Sequence, residues 1–226
     1  MTDSRAIKNL LYEQLARMGK AVSSPQRLEL LELLAQGEKS VESLAAATGL
    51  TVKNTSAHLR VLREAQLVEV RKEAQYAYYR LAGPDVSGFL LAIRDLAERR
   101  LAELREVSRL YFGGRERMTG VDRRRLLQRM RAGEVILLDV RPAPEFEAGH
   151  IPGARSVPLA ELRKTLRSIP RDQEVVAYCR GPYCVLALEA VERLKAAGYS
   201  VTRLDDGIAE WRAAGLPIAQ GPRASV

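Results

Sequence analysis

The sequence is poor in the residues that bind soft metals or cross-link small secreted folds. Among 226 residues there are two cysteines and two histidines, and both cysteines lie in one segment, AYCRGPYCV, as Cys179 and Cys184. Two cysteines this close together cannot build the disulfide framework of a secreted mini-protein. They also supply too few ligands for tetrahedral zinc, unless water or a partner chain contributes the rest.

Long apolar stretches are absent as well. No run approaches the roughly 18 apolar residues that a membrane-spanning helix needs, so no spanning segment is expected. The first residues, MTDSRAIKNLLYEQ, are charged and helix-like and lack an apolar stretch followed by a small-residue cleavage site. We therefore expect no signal peptide and a cytoplasmic location.

Charge is the first feature that the chain has in excess. The 36 Lys and Arg residues outnumber the 28 Asp and Glu residues, which gives a formal net charge of +8. This excess favours an anionic partner, although a merely soluble basic protein would show it too. The length allows one large domain or two ordinary ones.

The first half of the chain is predicted to be mostly helical. Ser24 and Pro25 begin a leucine-rich helix that ends at Gly37, and a short helix runs from Ser40 to Gly49. TVKNTSAHLRVLREAQ forms the next helix, and LVEVRKEAQYAYYRL alternates like a hairpin with a polar KEAQ turn. From Pro84 one long helix is predicted to run through FLLAIRDLAERRLAELREVSRLYF, ending at Phe112.

The second half alternates strands and helices. VILLDV, VVAY and VTRL are apolar strands, and CVLALEAVERLKAAG is a helix ended by Gly198. Such alternation predicts an α/β domain with a parallel sheet. Gly113 and Gly114 interrupt the chain between the halves. The predicted organisation is therefore multidomain, with an N-terminal α+β domain at 1–112, a linker at 113–120 and an α/β domain at 121–220.

Helix, turn, helix and hairpin follow one another in the order of a winged helix-turn-helix. Such a fold needs one helix with polar side chains for base edges in the major groove and cations for phosphates. The candidate DNA-binding residues are Lys53, Asn54, Thr55, Ser56, His58 and Arg60 on the helix, with Arg71 and Lys72 on the hairpin. His58 could instead be a helix-surface or core histidine, and a winged helix can also be a protein-interaction module.

Residues 20–82 resemble the ArsR family of bacterial repressors. The stretch LTVKNTSAHLRVLREAQLVEVRKEAQYAYYRL is similar to that family's recognition helix and wing, with Ser56-Ala57-His58-Leu59 at its centre. The resemblance implies a homodimer bound to an inverted-repeat operator in double-stranded DNA. It also implies that residues 5–20 and 84–111 form the dimer interface.

The metal-ligand positions of that family are not filled here. Ser40, Val41, Glu42 and Ser43 stand where some members carry cysteines, and the last helix offers Asp95, Glu98, Glu103 and Glu106 without His or Cys. Zinc or arsenite sensing needs thiolate or imidazole ligands. We therefore expect no metal site in this half and no cofactor, and the regulatory signal must arise elsewhere.

The cysteine segment has the features of a nucleophilic thiol site. Cys179 follows a predicted strand, and a helix begins near Cys184. The helix N-terminus and its free N–H groups lower a thiol's pKa, and Arg180 adds positive charge. The loop also contains Gly181, Pro182 and Tyr183. We expect Cys179 to be the accessible, low-pKa nucleophile.

Residues 120–218 resemble a single rhodanese domain. Three segments carry the resemblance in order: LLDVRPAPEFEAGHIPGARSVP, CRGPYCV and LDDGIAEWRAAGLPI, the last with Gly207, Trp211 and an aspartate, Asp206, where glycine is commoner. The resemblance implies that Cys179 accepts a sulfane sulfur as a persulfide and passes it to a thiol acceptor. Asp139, Arg141, Glu145 and His150 would support the fold and the loop.

Related loops in phosphatases and arsenate reductases are one residue longer and end in an arginine, where this chain has Val185. Phosphatase or arsenate reductase chemistry is therefore disfavoured.

Cys184 is left with several interpretations. It is a small buried residue at the helix start, or a resolving thiol that attacks a persulfide on Cys179, or one sulfur of an arsenite site. A structural disulfide is not expected in a reducing cytoplasm.

The combined expectation is a repressor that senses or transfers sulfane sulfur. The alternative is an active thiosulfate-type sulfurtransferase whose winged helix serves dimerisation or tethering, and a third view is a rhodanese fold that binds without turnover. Whether the protein is an enzyme stays open at this point.

Overall fold

The computed structural model describes residues 4–113, 117–118 and 123–222. The chain separates into two compact units, Met1–Leu90 and Leu91–Val226. The first helices and strands are α1 (Ser4–Val22), α2 (Pro25–Leu34), β1 (Lys39–Ser40), α3 (Val41–Thr48), α4 (Val52–Glu64), β2 (Val68–Glu73) and β3 (Tyr76–Leu81), and the β2–β3 hairpin is the wing.

The first unit is a winged helix-turn-helix, as predicted. Its three strands form an antiparallel sheet in the order β1-β3-β2. Leu30, Leu31, Leu44, Leu59 and Leu62 are fully buried, so one apolar face of each of α2, α3 and α4 meets in a single core. The polar face of α4 is thereby left outward.

Two helices of this unit begin and end where the sequence predicts. Ser40 caps α3 by accepting the N–H of Ser43, and Thr51 caps α4 by accepting the N–H of Asn54, each at 3.2 Å. Gly49, at φ +68°, closes α3 in the left-handed conformation that glycine adopts without strain. These caps determine the short turn between the two helices.

The hairpin turn is shorter than the predicted KEAQ. Strand pairing continues through Lys72 with Ala77 and Glu73 with Tyr76, so only Ala74 and Gln75 turn the chain. Because ladder hydrogen bonds outweigh the weak strand preference of Lys and Glu, these polar residues stay in β2.

The rest of the chain comprises α5 (Pro84–Arg100), α6 (Ala102–Phe112), β4 (Arg117–Met118), α7 (Arg123–Arg131), β5 (Val135–Asp139), α8 (Ala143–Ala148), β6 (Arg155–Ser156), α9 (Leu162–Thr165), a 3₁₀ turn (Leu166–Ser168), β7 (Glu174–Tyr178), α10 (Val185–Ala196), β8 (Val201–Leu204) and α11 (Ile208–Ala213). The prediction of a single long helix from Pro84 is therefore wrong, because Leu101 separates α5 from α6. The guanidinium of Arg105 donates to the carbonyls of Glu98 and Arg99, both at 2.9 Å. It thereby satisfies two of the carbonyls that a helix end leaves open.

The predicted domain limits differ from the compact units. The units divide at Leu90–Leu91, inside α5, because residues further along α5 and α6 make their contacts in the second unit, as Arg94 does with Glu210. Most of the predicted linker 113–120 lies outside the described residues. The limits 1–112 and 121–220 therefore stay a prediction.

The second unit is the predicted α/β fold. Its parallel sheet has the order β4-β8-β7-β5-β6, and the two-residue strands β4 and β6 were not predicted. Ile136 and Leu138 pack on the face covered by α10, whereas Val135 and Leu137 pack with Trp211 on the other. A sheet covered on both faces explains why β5 and β7 are continuous apolar runs.

The two serine caps give a matched test of local stability. We expect Ser40→Ala to lower the free energy of unfolding by about 1 kcal/mol, because it removes the bond to the Ser43 N–H. Ser24, at the start of α2, makes no side-chain cap bond, so we expect Ser24→Ala to lower the free energy of unfolding by only roughly 0.3 kcal/mol. Urea unfolding followed by circular dichroism measures both, and equal losses would contradict the assignment.

Candidate functional sites: the cysteine loop and the recognition helix

The segment Cys179–Cys184, called here the cysteine loop, lies between β7 and α10. β7 ends at Tyr178, and Cys184 is the N-cap of α10, which begins at Val185. The loop therefore lies at the carboxyl end of a central parallel strand, where α/β sheets place their ligand sites. Cys184 precedes the helix rather than lying inside it.

The two cysteine sulfurs are joined as a disulfide in this structure. The Cα atoms are 6.1 Å apart, within the range of about 4.4–6.8 Å that a disulfide accepts. This bond differs from the expectation that a reducing cytoplasm would disfavour a structural disulfide. The Cys184 N–H donates to the Gly181 carbonyl at 3.2 Å, and this turn brings the ends of the loop together.

Neither cysteine is accessible in this state. Cys179 is 1% exposed and Cys184 is 7% exposed, and both belong to the core beneath α10. The expectation of an accessible Cys179 is therefore wrong for the bonded state. Any reaction of the sulfur with an external thiol requires the loop to open.

Arg180 is paired rather than free. Its Nε and Nη2 donate to the two carboxylate oxygens of Glu145 at 3.0 and 2.8 Å, and Glu145 is 2% exposed. A bidentate pair of this kind fixes orientation as well as charge. Arg180 thus attaches the cysteine loop to α8, and its charge is balanced instead of being added to the Cys179 site as predicted.

Gly207 allows a close backbone approach beside Arg180. A Cβ at position 207 would lie 2.2 Å from the Arg180 carbonyl oxygen, which no side chain could tolerate without a shift. Glu210 accepts the Gly207 N–H at 2.7 Å, and the neighbouring Asp206 accepts Arg123. Glu210 was not among the predicted site residues, and its only signal in the sequence is its place three residues after Gly207.

Asp139 and Arg141 form a fully buried ion pair next to the loop. Arg141 Nε lies 2.9 Å from Asp139 Oδ1, and Arg141 Nη2 donates to the Gly149 carbonyl at 2.8 Å. The hydroxyl of Tyr178 accepts the Ile151 N–H at 3.1 Å. Burial, with the nearby Asp139 charge, holds the pKa of Tyr178 well above its ordinary value, so the phenol stays neutral.

His150 is buried and contacts Phe146 of α8. Its Nδ1 lies 2.9 Å from the Phe146 carbonyl, and its ring stacks on the Phe146 ring with centroids 3.6 Å apart. These contacts are to backbone and to a core ring. Both contacts lie within the segment that follows β5, and the supporting role expected of Asp139, Arg141 and His150 stays a prediction.

The outward face of α4 presents most of the predicted DNA-binding residues together. Lys53, Asn54 and Arg60 are exposed, and Ser56 and His58 are half-buried. Thr55 is a correction, because it is fully buried and its hydroxyl donates to the Thr51 carbonyl at 3.0 Å. Its side chain faces the core and cannot contact a base.

The two cations predicted to bind DNA from the β2–β3 hairpin, Arg71 and Lys72, differ in whether they form ion pairs. Arg71 donates to Glu38 at 2.7 Å and to Glu73, and its hydrogen bond holds the pKa of Glu38 below the ordinary value. Lys72 is exposed and forms no ion pair with another described residue. Lys72 is therefore available to bind an anion, whereas Arg71 would first have to break its ion pairs with Glu38 and Glu73.

Within residues 4–113, 117–118 and 123–222, no three His, Cys, Asp or Glu side chains are grouped so that they could hold a metal ion. No helix in those ranges is long and apolar enough to cross a membrane.

Comparison with known proteins matches both units. The family model "Bacterial regulatory protein, arsR family" matches residues 24–70, and "Rhodanese-like domain" matches residues 122–214. The chain is 46% identical over 214 residues to the HTH-type transcriptional regulator Rv0324 of Mycobacterium tuberculosis, covering 95% of this chain and 94% of that protein.

Shorter matches cover one unit each. A sulfurtransferase of Allochromatium vinosum is 36% identical over 100 residues, 43% of this chain and 92% of its own length. A solution structure of a homodimeric winged helix-turn-helix domain from Mycobacterium bovis, a possible ArsR-family regulator, is 41% identical. That match covers 46% of this chain and 93% of the fragment, with a TM-score of 0.41.

The buried pair gives a test of the support beneath the loop. We expect Asp139→Asn to lower the free energy of unfolding by about 3–5 kcal/mol, because it removes the carboxylate that is paired with the buried Arg141 guanidinium. The matched control is Glu189→Gln, which breaks the exposed Arg193–Glu189 pair and should cost under about 0.5 kcal/mol. Urea unfolding of both variants decides it, and a similar loss in the two would contradict the role of the buried pair.

Proposed function

Since the chain belongs to the ArsR family of bacterial transcriptional regulators and carries a rhodanese-like domain, we propose that sulfane sulfur at Cys179 and Cys184 controls its occupancy of an operator. The observation that carries the proposal is the cysteine pair itself. Both cysteines lie in one loop at bonding distance, and residues 1–112 contain none. Thiol chemistry that acts on this regulator must therefore occur in the cysteine loop.

The reaction proceeds in two balanced steps from the reduced protein. A persulfide donor, RSSH, transfers its outer sulfur to the Cys179 thiolate, which forms Cys179–S–SH and releases RS⁻. The Cys184 thiolate then attacks the inner sulfur of Cys179, which forms the disulfide and releases HS⁻. The two thiols are oxidised and the sulfane sulfur is reduced to sulfide. A cellular thiol such as glutathione reduces the disulfide and resets the loop.

The choice of Cys179 as the nucleophile rests on the resemblance of the loop to that of rhodanese domains. Cys179 directly follows β7, and Cys184 is the N-cap residue of α10, so both thiols lie at the end of the sheet where the helix begins. The disulfide that the second step produces fits the loop, with Cα atoms 6.1 Å apart. The arsenite alternative for the same pair has no third ligand among the described residues.

The first unit supplies the output. Lys53, Asn54, Ser56, His58 and Arg60 face outward on α4 and would enter the major groove, with Lys72 on a backbone phosphate. Arg71 joins them if DNA displaces Glu38 and Glu73. A DNA-bound regulator works where the chromosome lies, so we propose a cytoplasmic location and repression as its mode of action.

A homodimer is the proposed DNA-binding form. α1 exposes a series of apolar side chains, Ile7, Leu10, Leu11, Tyr12 and Leu15, each 45–66% accessible. An apolar series of this size on a single chain favours burial against another surface. A second copy of α1 would cover it, and an inverted-repeat operator would match the resulting two-fold symmetry.

A second candidate is an active sulfurtransferase. The similarity to the Allochromatium vinosum sulfurtransferase favours it, since it covers almost all of that protein. Steady turnover of thiosulfate with an acceptor thiol, unaffected by operator DNA, would favour this alternative over sensing.

Base reading by α4 is tested by substitution. We expect Asn54→Ala with Ser56→Ala to weaken operator binding by about 1–3 kcal/mol per lost bidentate contact, with a smaller effect on random DNA. Lys72→Ala should weaken both duplexes alike and reduce the salt dependence, because it contacts a phosphate. Fluorescence anisotropy on both duplexes measures this, and equal losses on operator and random DNA for the α4 variant would argue against base reading.

The roles of the two cysteines are tested by mass spectrometry of the reduced protein after treatment with a persulfide donor. Cys179→Ser should take up no sulfur, because it removes the nucleophile. Cys184→Ser should accumulate a stable persulfide on Cys179, because it removes the thiol that resolves it. The wild type should pass to the disulfide and release sulfide.

Two outcomes would overturn that assignment. Sulfur uptake by Cys179→Ser at the wild-type rate would make Cys184 the nucleophile. A wild-type protein whose Cys179 persulfide never resolves would leave Cys184 as a packing residue.

A further inference from the structure

Tyr183, the residue of the cysteine loop just before Cys184, contacts both α5 and α6. Its hydroxyl donates to the carboxylate of Glu98 on α5. Its ring lies 6.0 Å, centroid to centroid, from the ring of Phe112, the last residue of α6. The residue next to Cys184 is therefore held by the two helices that follow the wing in the sequence.

Arg203 on β8 links Pro182 to the end of α6 by hydrogen bonds. Arg203 is almost fully buried, and its Nη1 donates to the Pro182 carbonyl at 3.1 Å. Its Nη2 donates to the Phe112 carbonyl at 2.9 Å, and its guanidinium lies over the Phe112 ring. One buried side chain thus joins the loop backbone to the end of α6.

Gly181 lies against an ion pair between Arg94 of α5 and Glu210. Arg94 donates to Glu210 at 2.6 Å, and a Cβ at Gly181 would lie 3.3 Å from Glu210 Oε1 and 3.6 Å from Arg94 Nη1. Burial works against the Arg94 charge, but Glu210 raises the pKa of the guanidinium, which stays charged. Three consecutive loop residues therefore contact α5 or α6, directly or through one side chain.

α5 is one continuous helix whose two ends belong to different cores. Val86 is buried in the winged-helix core, and Leu90 packs against that core. Arg94 and Glu98 follow at the same four-residue spacing, so the four side chains form one row along the helix. α5 therefore contributes Val86 and Leu90 to the core of the first unit, and Glu98 of the same helix bonds to Tyr183 of the cysteine loop.

We propose that Glu98 and Arg94 are positioning residues through which the sulfur state of the cysteine loop sets operator affinity. This inference rests on the proposed function and adds its route. With the sulfurs bonded, residues 179–184 form a closed ring that presents Tyr183 to Glu98. Breaking that bond releases the ring, so α5 has different contacts in the two states. A helix with contacts that differ between states is what a coupled equilibrium requires.

The coupling must also act in reverse. If the bonded and the reduced loop differ in operator affinity by some factor, operator DNA changes the disulfide equilibrium by the same factor. For a two-electron couple a tenfold factor corresponds to about 30 mV. The reduction potential of the cysteine pair should therefore shift when the operator is bound.

The test uses full-length protein and a duplex selected from a random pool, in parallel with the reduced and the disulfide forms. The quantity measured is the ratio of operator Kd values in the two forms. We expect a ratio of about 5–150 for the wild type, the usual range of such couplings. Glu98→Ala and Tyr183→Phe each remove one partner of the same hydrogen bond, so both should bring the ratio close to one.

Two further variants separate positioning from general effects. Glu103→Ala changes an exposed glutamate on α6 that has no partner among the described residues, and should keep the wild-type ratio. Glu98→Gln retains an acceptor for Tyr183 and should keep most of it. Titration in glutathione buffers with and without the duplex should show the potential shift in the wild type and not in Glu98→Ala.

The outcomes distinguish this inference from the proposed function. A wild type whose operator affinity is the same in both forms would overturn the switch and this route together. A wild type that switches, with Glu98→Ala and Tyr183→Phe switching equally well, would overturn the route alone. Loss of switching in Glu103→Ala as well would show a general effect of charge and would also overturn it.

Discussion

The buried pair of Asp139 and Arg141 is the interaction on which the second unit's site depends. Two charges with no exposure to water require partners on every side, and the surrounding groups are arranged accordingly. Arg141 also donates to the Gly149 carbonyl and lies 5.7 Å from the centre of the Tyr178 ring. Since Tyr178 directly precedes Cys179, the ion pair lies beside the start of the cysteine loop.

The cysteine loop is held from two sides that have different roles. Arg180 bonds to Glu145, which belongs to the same buried support as the ion pair. Gly181, Pro182 and Tyr183 contact groups anchored on α5 and α6. The first attachment keeps the loop on its own domain, and the second relates its shape to the helix that follows the wing. The proposed sulfur switch needs both attachments, because a reaction that moves nothing outside its own loop cannot change DNA binding.

The positive charge of the chain is distributed in a way that its total does not reveal. Arginines around the cysteine loop are paired with carboxylates, as Arg180 is with Glu145 and Arg94 is with Glu210. Lys53 and Arg60 on α4 are exposed instead, and form no ion pair with another described residue. The anionic partner that the net charge of +8 indicates is therefore better matched to α4 than to the cysteine loop.

The sequence by itself determined the two folds, because helical and strand periods, caps and glycine stops are local signals. Ser40, Thr51 and Gly49 act where the pattern places them, and the strands before Val140 and Cys179 are continuous apolar runs. Only the tertiary structure decided which candidate residues are available. Thr55 turns inward, Arg71 and Arg180 are engaged by distant carboxylates, and Tyr183 meets Glu98 across 85 positions of the chain. Such pairings depend on how separate elements pack, and no local period in the sequence records them.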